Sequence, residues 1–89
     1  MKCKLVGRYY HSQCFICPAD LIRVEREPQN PYDVNALKVL LCAQGREIHV
    51  GYVDRRSAAQ LAGCTVKRAK VLAAGPDTLP MELEVEFKS

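Results

Sequence analysis

The sequence has 89 residues, enough for one domain with a modest hydrophobic core, and we expect residues 1–89 to form that single domain. Its 13 Lys and Arg against 10 Asp and Glu give a net charge of +3, which suits a partner with a few phosphates better than the coating of long nucleic acid. The sequence has neither the roughly 18 consecutive apolar residues of a membrane span nor a signal peptide, so we expect an intracellular protein with no membrane partner.

Two strands are predicted in the first third of the chain from the alternation of apolar and polar residues. The first covers residues 2–6, and the second covers residues 21–27, where apolar and charged side chains take turns. The segment between them opens with Arg8, Tyr9 and Tyr10 and continues through a polar loop.

The segment after the second strand is predicted to form one helical turn. Asn30 can cap a helix, Pro31 suits the first helical position and Asp33 suits the first turn. Residues 37–42 and 47–53 then predict two strands, and the Gln-Gly turn between them predicts a hairpin.

The last third predicts a second short helix and two more strands. Asp54 can cap a helix over residues 55–62, and Gly63 can end it. Strands are predicted over residues 65–73 and 81–88. The alternation in the last strand turns four apolar residues inward, namely Met81, Leu83, Val85 and Phe87. Six strands with two short helices predict a small closed or nearly closed barrel, because closure removes exposed sheet edges.

Arg8, Tyr9 and Tyr10 form the first candidate site. A cation beside two aromatic rings offers a contact for phosphate and surfaces on which bases can stack. The alternative is the end of a strand with one tyrosine packed in the core, and these residues alone leave both interpretations open.

The second candidate site lies in residues 30–36. Tyr32 follows a rigid proline, so we expect its ring to be held outward. The carboxylate of Asp33 would repel phosphate, but it could accept a hydrogen bond from a hydroxyl such as the free 3′-hydroxyl of a strand. The alternative is an acidic residue that only stabilises the start of the helical turn. Asn35 is expected to hold backbone groups of that turn.

The third candidate site surrounds Tyr52, Arg55 and Arg56. Both arginines lie near a predicted helix start, where free N–H groups bind anions and a bound phosphate would offset the unfavourable positive charge. The alternative is a pair of solvated arginines, with Tyr52 either lining a groove or packing in the core. Gly51 either allows close backbone approach or marks a bulge, and His49 is expected to be structural.

No catalytic, metal or cofactor site is predicted, so we do not expect an enzyme. The sequence lacks a supported Ser-His-Asp arrangement, a glycine-rich phosphate loop and paired carboxylates of catalytic type. Cys14 and Cys17 are close in sequence, but structural zinc needs four ligands, and Cys3, Cys42 and Cys64 are scattered. A strand is predicted after the close pair, whereas a redox motif is followed by a helix.

Three runs of residues contain these candidate sites in a characteristic order and spacing: Leu5-Val6-Gly7-Arg8-Tyr9-Tyr10, then Val24-Glu25-Arg26-Glu27-Pro28-Gln29-Asn30-Pro31-Tyr32-Asp33-Val34-Asn35-Ala36-Leu37-Lys38-Val39, then Val50-Gly51-Tyr52-Val53. Together they resemble the HIRAN domain family, and the resemblance spans essentially the whole chain. The central run is the most specific of the three. The resemblance implies a mainly β fold, a small OB-like six-stranded barrel with two short helices.

The resemblance also implies that eight residues bind single-stranded DNA. These are Arg8 as a phosphate contact, Tyr9 and Tyr32 as base-stacking rings, Tyr10 as a backbone contact or support, Asn30 as a polar contact, Asp33 as the residue that meets the 3′-hydroxyl, and Tyr52 and Arg55. Tyr52 and Arg55 stand where a DNA translocase of the family has His and Lys, so the positive charge is kept but a contact specific to His would be lost.

We therefore expect a binding module that captures the 3′-hydroxyl end of single-stranded DNA. The resemblance implies a role in DNA repair or replication-fork remodelling, with an attached or associated helicase or nuclease module. Such a protein would act in the nucleus as part of a eukaryotic remodeller, or in the cytoplasm as a free-standing prokaryotic protein. The alternative is a protein-interaction module on a small β-barrel, with the tyrosines as its hot spot.

Overall fold

The structure, a computed structural model, describes residues 1–7, 20–73 and 81–88. This part of the chain contains six strands and one helix: β1 (Lys2–Val6), β2 (Leu21–Arg26), β3 (Leu37–Ala43), β4 (Arg46–Val53), α1 (Arg55–Gln60), β5 (Thr65–Ala73) and β6 (Met81–Lys88). The predicted strands are confirmed with boundaries shifted by a residue at most. None of these residues belongs to a helix that is long and apolar enough to cross a membrane.

The six strands close into an antiparallel barrel in the order β1-β4-β3-β2-β5-β6. β2, β3 and β4 follow one another as hairpins, whereas β1 lies between β4 and β6, and β2 pairs with β5. The prediction of a mainly β, six-stranded barrel is therefore confirmed, and the architecture is consistent with a small OB-like barrel. Closure leaves each described strand with two neighbours, which protects the sheet edges.

The barrel interior is filled by the inward side chains of every strand except β2, which contributes the half-buried Ile22 and Val24, while its Leu21 is exposed. The largest fully buried side chains are Leu37, Leu61, Leu83, Val39, Val50 and Val85. The alternation predicted for β6 is confirmed at Leu83 and Val85, but Phe87 at the end of the strand is 38% exposed and does not belong to the core. Outside the strands, the described part of the core includes the fully buried Ala58 and Leu61, with Met1 and Cys64 packed against it.

Gly51 brings β4 close to β1 and also marks a bulge. Val39 pairs with Gly51 while Leu40 pairs with His49, so Val50 is an extra residue in the β4 ladder. A Cβ atom on Gly51 would lie 2.4 Å from the carbonyl oxygen of Val6, a distance that no side chain tolerates. Glycine is therefore required for the close approach, and the two alternatives considered for this residue both hold.

Asp54 fixes helix α1 against β1. Its carboxylate accepts hydrogen bonds from the backbone N–H of Lys4 at 2.8 Å and from that of Ser57 at 3.1 Å, as expected of a helix cap. The backbone N–H of Asp54 in turn donates to the carbonyl of Lys4 at 2.9 Å. The predicted cap is confirmed, and these bonds place Arg55, the first helical residue, beside the end of β1.

The helical turn predicted between the second and third strands, with Asn30 as its cap, is wrong, so the described residues contain one helix and not two. The capping contacts exist, because Asn30 Oδ1 accepts from the N–H groups of Tyr32 and Asp33 at 2.8 and 3.1 Å. However, Glu27 N–H donates to the carbonyl of Ala36 at 3.0 Å, which extends the β2–β3 ladder and commits the chain to β3. We call residues 27–36 the β2–β3 loop.

Candidate nucleic-acid interface

A groove of about 400 Å³ lies between the β2–β3 loop, the end of β4 and the start of α1. It is lined by Val6, Asn30, Tyr32, Asp33, Ala36, Tyr52, Val53 and Arg55, and we call it the loop groove. Five of the eight predicted DNA-binding residues meet here: Asn30, Tyr32, Asp33, Tyr52 and Arg55. The close β1–β4 approach at Gly51 and the Asp54 cap bring their elements together, so the fold itself assembles the site.

The loop groove has an apolar base and an exposed aromatic ring at its rim. Val6, Ala36 and Val53 supply the apolar surface. Tyr32 is 85% exposed, although a tyrosine ring usually gains by burial. Its backbone N–H is held by Asn30, so the main chain is fixed while the ring stays available to solvent. An exposed ring on a fixed loop is a suitable surface for stacking of a base.

Asp33 and Arg55 place opposite charges at the same end of the groove. The Nε atom of Arg55 lies 3.7 Å from Oδ2 of Asp33, and its Nη2 group donates to the carbonyl of Tyr32. The other oxygen of Asp33, Oδ1, accepts from the N–H of Asn35 at 2.9 Å. Asp33 therefore stabilises the loop with one oxygen, as the structural alternative requires, and keeps the second oxygen beside an exposed guanidinium.

Glu27 is a residue of this region that sequence reasoning missed. Its Oε1 atom accepts hydrogen bonds from Tyr52 Oη at 2.8 Å and from Asn30 Nδ2 at 2.7 Å. The bonds from Asn30 and then Tyr52 lower the pKa of Glu27, against a smaller opposing effect of burial. Burial, followed by the bond to Glu27, raises the pKa of Tyr52. At neutral pH the group is thus an ionised carboxylate held by two neutral donors.

The remaining predicted residues divide into those the structure places elsewhere and those it does not describe. Arg8, Tyr9 and Tyr10 lie outside the described residues, and so do Cys14 and Cys17. Arg56 is exposed but does not line the loop groove. The roles predicted for Arg8, Tyr9 and Tyr10 therefore stay predictions, and Arg56 is not part of this groove.

His49 has structural contacts next to the site. Its Nε2 atom lies 2.9 Å from the carbonyl oxygen of Gly51, and its ring meets that of Tyr52 edge to face at a centroid distance of 4.9 Å. Within residues 1–7, 20–73 and 81–88, no group of three or more His, Cys, Asp and Glu side chains could hold a metal ion. The described cysteines Cys3, Cys42 and Cys64 are free thiols.

A second and larger groove, of about 510 Å³, lies on the barrel wall and serves as a comparison. It is lined by Met1, Arg68, Ala69, Lys70, Glu84, Val85, Glu86 and Phe87, and we call it the β5–β6 groove. Its arginine and one of its glutamates are partners across the two strands, with Arg68 Nε 3.2 Å from Glu86 Oε2. Of the eight predicted DNA-binding residues, none of the five that the structure describes lines it.

Comparison with known proteins agrees with the fold and with the motif. Residues 1–82 match the model of the HIRAN domain family, which is nearly the whole chain. Among solved structures, the chain is similar to the crystal structure of the HIRAN domain of human HLTF, with a TM-score of 0.77 and 24% sequence identity over 98% of this chain and 73% of that one. No curated protein sequence matches the chain.

Proposed function

The chain belongs to the HIRAN domain family, known as a DNA-binding module, and on this premise we propose that it binds the 3′ end of single-stranded DNA in the loop groove. The observation that carries the proposal is the meeting of an exposed ring, an exposed guanidinium and a carboxylate over one apolar base. The chain acts by binding and not by catalysis, and the partner is a strand end with few phosphates, as the mild net charge of +3 suits.

In this proposal the ring of Tyr32 stacks on a base near the strand end. Arg55 pairs with a phosphate through N–H groups that its contact with Tyr32 leaves unused, since guanidinium has five donors. Arg8, Tyr9 and Tyr10 add a second phosphate contact, a second stacking ring and a backbone contact, as the family resemblance implies. Stacking accepts every base, so binding is tolerant of sequence.

Asp33 distinguishes the end of a strand from its interior. The terminal 3′-hydroxyl donates to Oδ2, the oxygen that the backbone of the loop does not use. A 3′-phosphate, or a continuing strand, would bring negative charge to the same oxygen and be repelled. Arg55 at 3.7 Å balances part of the Asp33 charge, so a carboxylate is tolerated next to DNA.

The test is fluorescence anisotropy with one oligonucleotide that carries either a 3′-hydroxyl or a 3′-phosphate. The proposal expects the wild type to prefer the hydroxyl end by about tenfold, the size of one charge-assisted hydrogen bond. Asp33→Asn should lose most of that preference. Glu86→Gln removes a carboxylate from the β5–β6 groove and should retain it, which makes it the matched control.

Two outcomes would contradict the proposal at different levels. Equal binding of both oligonucleotides by the wild type would overturn recognition of the end and leave general binding of single strands. Absence of binding to either would overturn the DNA function and favour the alternative of a protein-interaction module with Tyr32 as its anchor.

A module that holds strand ends without cutting them needs a partner that does the chemistry. We therefore place this chain beside an attached or associated helicase or nuclease module, in DNA repair or replication-fork remodelling. Its site of action is intracellular: the nucleus for a eukaryotic remodeller and the cytoplasm for a free-standing prokaryotic protein. A pull-down with this protein as bait in the presence of strand-end DNA would show whether such an enzyme is recruited. The same pull-down with the Asp33→Asn variant as bait would show whether recruitment depends on the loop groove.

A further inference from the structure

We propose that Glu27 is the positioning residue of the loop groove, and that its carboxylate sets Asn30 and Tyr52 so that Tyr32 and Asp33 face the strand end. This inference rests on the proposed function, since it assigns to Glu27 the geometry on which end recognition depends. Glu27 does not itself line the groove. Its effect on DNA is therefore transmitted through its two hydrogen-bond donors.

Glu27 joins two elements that the backbone does not join. Asn30 belongs to the β2–β3 loop and Tyr52 to β4, and both donate to Oε1 of Glu27, at 2.7 and 2.8 Å. The two donors also approach each other, with Asn30 Nδ2 3.5 Å from Tyr52 Oη. One oxygen atom thus fixes the loop relative to the barrel wall at the point where the groove opens.

The position of Asn30 then decides the backbone of the loop. A side-chain amide is planar, so fixing Nδ2 toward Glu27 also fixes the direction of Oδ1. That oxygen accepts from the N–H groups of Tyr32 and Asp33 at 2.8 and 3.1 Å. Without Glu27 the amide can turn about its last torsion, and the two residues proposed to meet the DNA lose their shared acceptor.

The backbone contacts of Glu27 survive the loss of its side chain. Its N–H donates to Ala36 and its carbonyl accepts from Asn30, each at 3.0 Å, and no substitution that keeps a backbone N–H removes them. The ends of the loop therefore stay paired in Glu27 variants. What changes is the middle of the loop, which carries Tyr32 and Asp33.

The charge of Glu27 makes the inference testable, because it acts in the opposite direction. A carboxylate near a DNA site repels phosphate, so its removal should strengthen binding if charge alone matters. If Glu27 positions the loop, its removal should weaken binding. Hydrogen bonds from Asn30 and Tyr52 keep the pKa of Glu27 low, so the charge is present at neutral pH and the two effects can be compared directly.

Three variants separate position from charge. Glu27→Ala removes both, and we expect about tenfold weaker binding of the 3′-hydroxyl oligonucleotide together with loss of its preference over the 3′-phosphate. Glu27→Gln removes the charge but keeps Oε1 as an acceptor, and binding should stay within about twofold of the wild type. Glu25→Ala removes an equal charge two residues away, where Glu25 pairs only with Arg23 among the described residues, and should not weaken binding.

Hydrogen exchange in the absence of DNA gives an independent measurement. The amides of Tyr32 and Asp33 should exchange about tenfold faster in Glu27→Ala and near the wild-type rate in Glu27→Gln and Glu25→Ala. Unchanged exchange at both amides in Glu27→Ala would overturn the positioning role. So would binding by Glu27→Ala that equals or exceeds that of the wild type.

The proposed function fails separately from this inference. If the wild type does not distinguish the two oligonucleotides, end recognition is wrong whatever Glu27 does, whereas the exchange experiment still decides whether Glu27 holds the loop. If the wild type distinguishes them and Glu27→Ala does so equally well, end recognition stands and the positioning role is wrong.

Discussion

The loop groove and the β5–β6 groove contain the same kinds of residue in different frameworks. Each has an arginine beside a carboxylate, at 3.7 Å for Arg55 and Asp33 and at 3.2 Å for Arg68 and Glu86. Each also has an aromatic side chain at its rim. The β5–β6 groove is the larger, about 510 against 400 Å³, yet the predicted DNA-binding residues that the structure describes all line the smaller one.

The difference lies in how each residue is held. Arg68 and Glu86 are register partners on neighbouring strands, so their charges are directed at each other along the barrel wall. In the loop groove, the side chains of Asn30 and Asp33 accept hydrogen bonds from backbone groups of an irregular loop. The ring of Tyr32 packs against little of the protein and is 85% exposed, against 38% for Phe87. A loop fixed on a rigid barrel can present polar and aromatic groups to a ligand, whereas in a strand such groups pair with the neighbouring strands. A choice by volume alone would have selected the β5–β6 groove and not the groove proposed to bind DNA.

The largest expected difference between the grooves concerns their aromatic residues. Tyr32→Ala should weaken binding of single-stranded DNA by about 1–3 kcal/mol, because it removes a stacking surface. Phe87→Ala in the β5–β6 groove should leave affinity within about 0.5 kcal/mol of the wild type, as expected for a change away from the interface. Isothermal titration calorimetry with one oligonucleotide measures both.

Val34→Ala is the control for general changes in the same loop. Val34 is 74% exposed and lies two residues from Tyr32, but it does not line the loop groove. Its substitution should leave affinity unchanged. If Tyr32→Ala and Phe87→Ala weakened binding equally, the DNA would contact both grooves, and the loop groove would not be the specific site.

The strands and helix α1 could be predicted from the sequence because local patterns of residues mark them. Period-two alternation marks β6 by Leu83 and Val85, and Asp54 before a helical segment marks the cap of α1. That residues 30–36 lie close to Tyr52 and Arg55 could be predicted only from the family resemblance. The barrel order places β1 between β4 and β6, a long-range pairing that alternation within each strand does not encode.

Two features of the loop could not be predicted from local pattern. Asn30 makes the contacts of a helix cap, but the Glu27–Ala36 pairing returns the chain to the sheet before a helix can form. Glu27 was missed because its partners, Asn30 and Tyr52, are 3 and 25 residues away, and only the three-dimensional fold brings them together. The signal that could have found it is the half-buried hydroxyl of Tyr52, which needs a hydrogen-bond partner.

The second difference is that only the loop groove depends on helix α1. Asp54→Ala removes the acceptor of Lys4 N–H and Ser57 N–H, and it should lower the free energy of unfolding by about 1–2 kcal/mol, as helix caps do. Asp54→Asn should cost less, since asparagine also caps helices. Urea denaturation measures both.

A binding measurement then shows which groove the cap supports. Because Arg55 is the first residue of α1, DNA affinity should fall in Asp54→Ala even under conditions where the protein is fully folded. Full affinity in folded Asp54→Ala would show that the position of Arg55 does not depend on the cap.

A smaller effect on DNA binding is expected from Arg55, and none from Arg68 or Arg56. Arg55→Ala should weaken DNA binding by about 0.5–1 kcal/mol, because the side chain is exposed and its contact with phosphate is screened. It should also reduce the slope of log affinity against log salt by about 0.7, the value for one phosphate contact on a single strand. Arg68→Ala should change neither quantity, and neither should Arg56→Ala, the neighbour of Arg55 that does not line the loop groove. An equal change of slope in all three variants would mean that only net charge matters.

The smallest expected effect is that of acid on the stability contributed by Asp54, the cap of the helix that carries Arg55. Burial alone would raise the pKa of Asp54, but hydrogen bonds from Lys4 and Ser57 outweigh it and hold the pKa below its ordinary value of 3.8. A carboxyl with a lowered pKa stabilises the folded state above its ordinary pKa, and this contribution is lost as the pH falls through the lower value. The wild type should therefore exceed Asp54→Asn in unfolding free energy at neutral pH, and the difference should shrink only below about pH 3.8. A difference that stays constant from pH 7 to pH 2.5, measured by urea denaturation, would show that the charge of Asp54 contributes nothing beyond its shape as a cap.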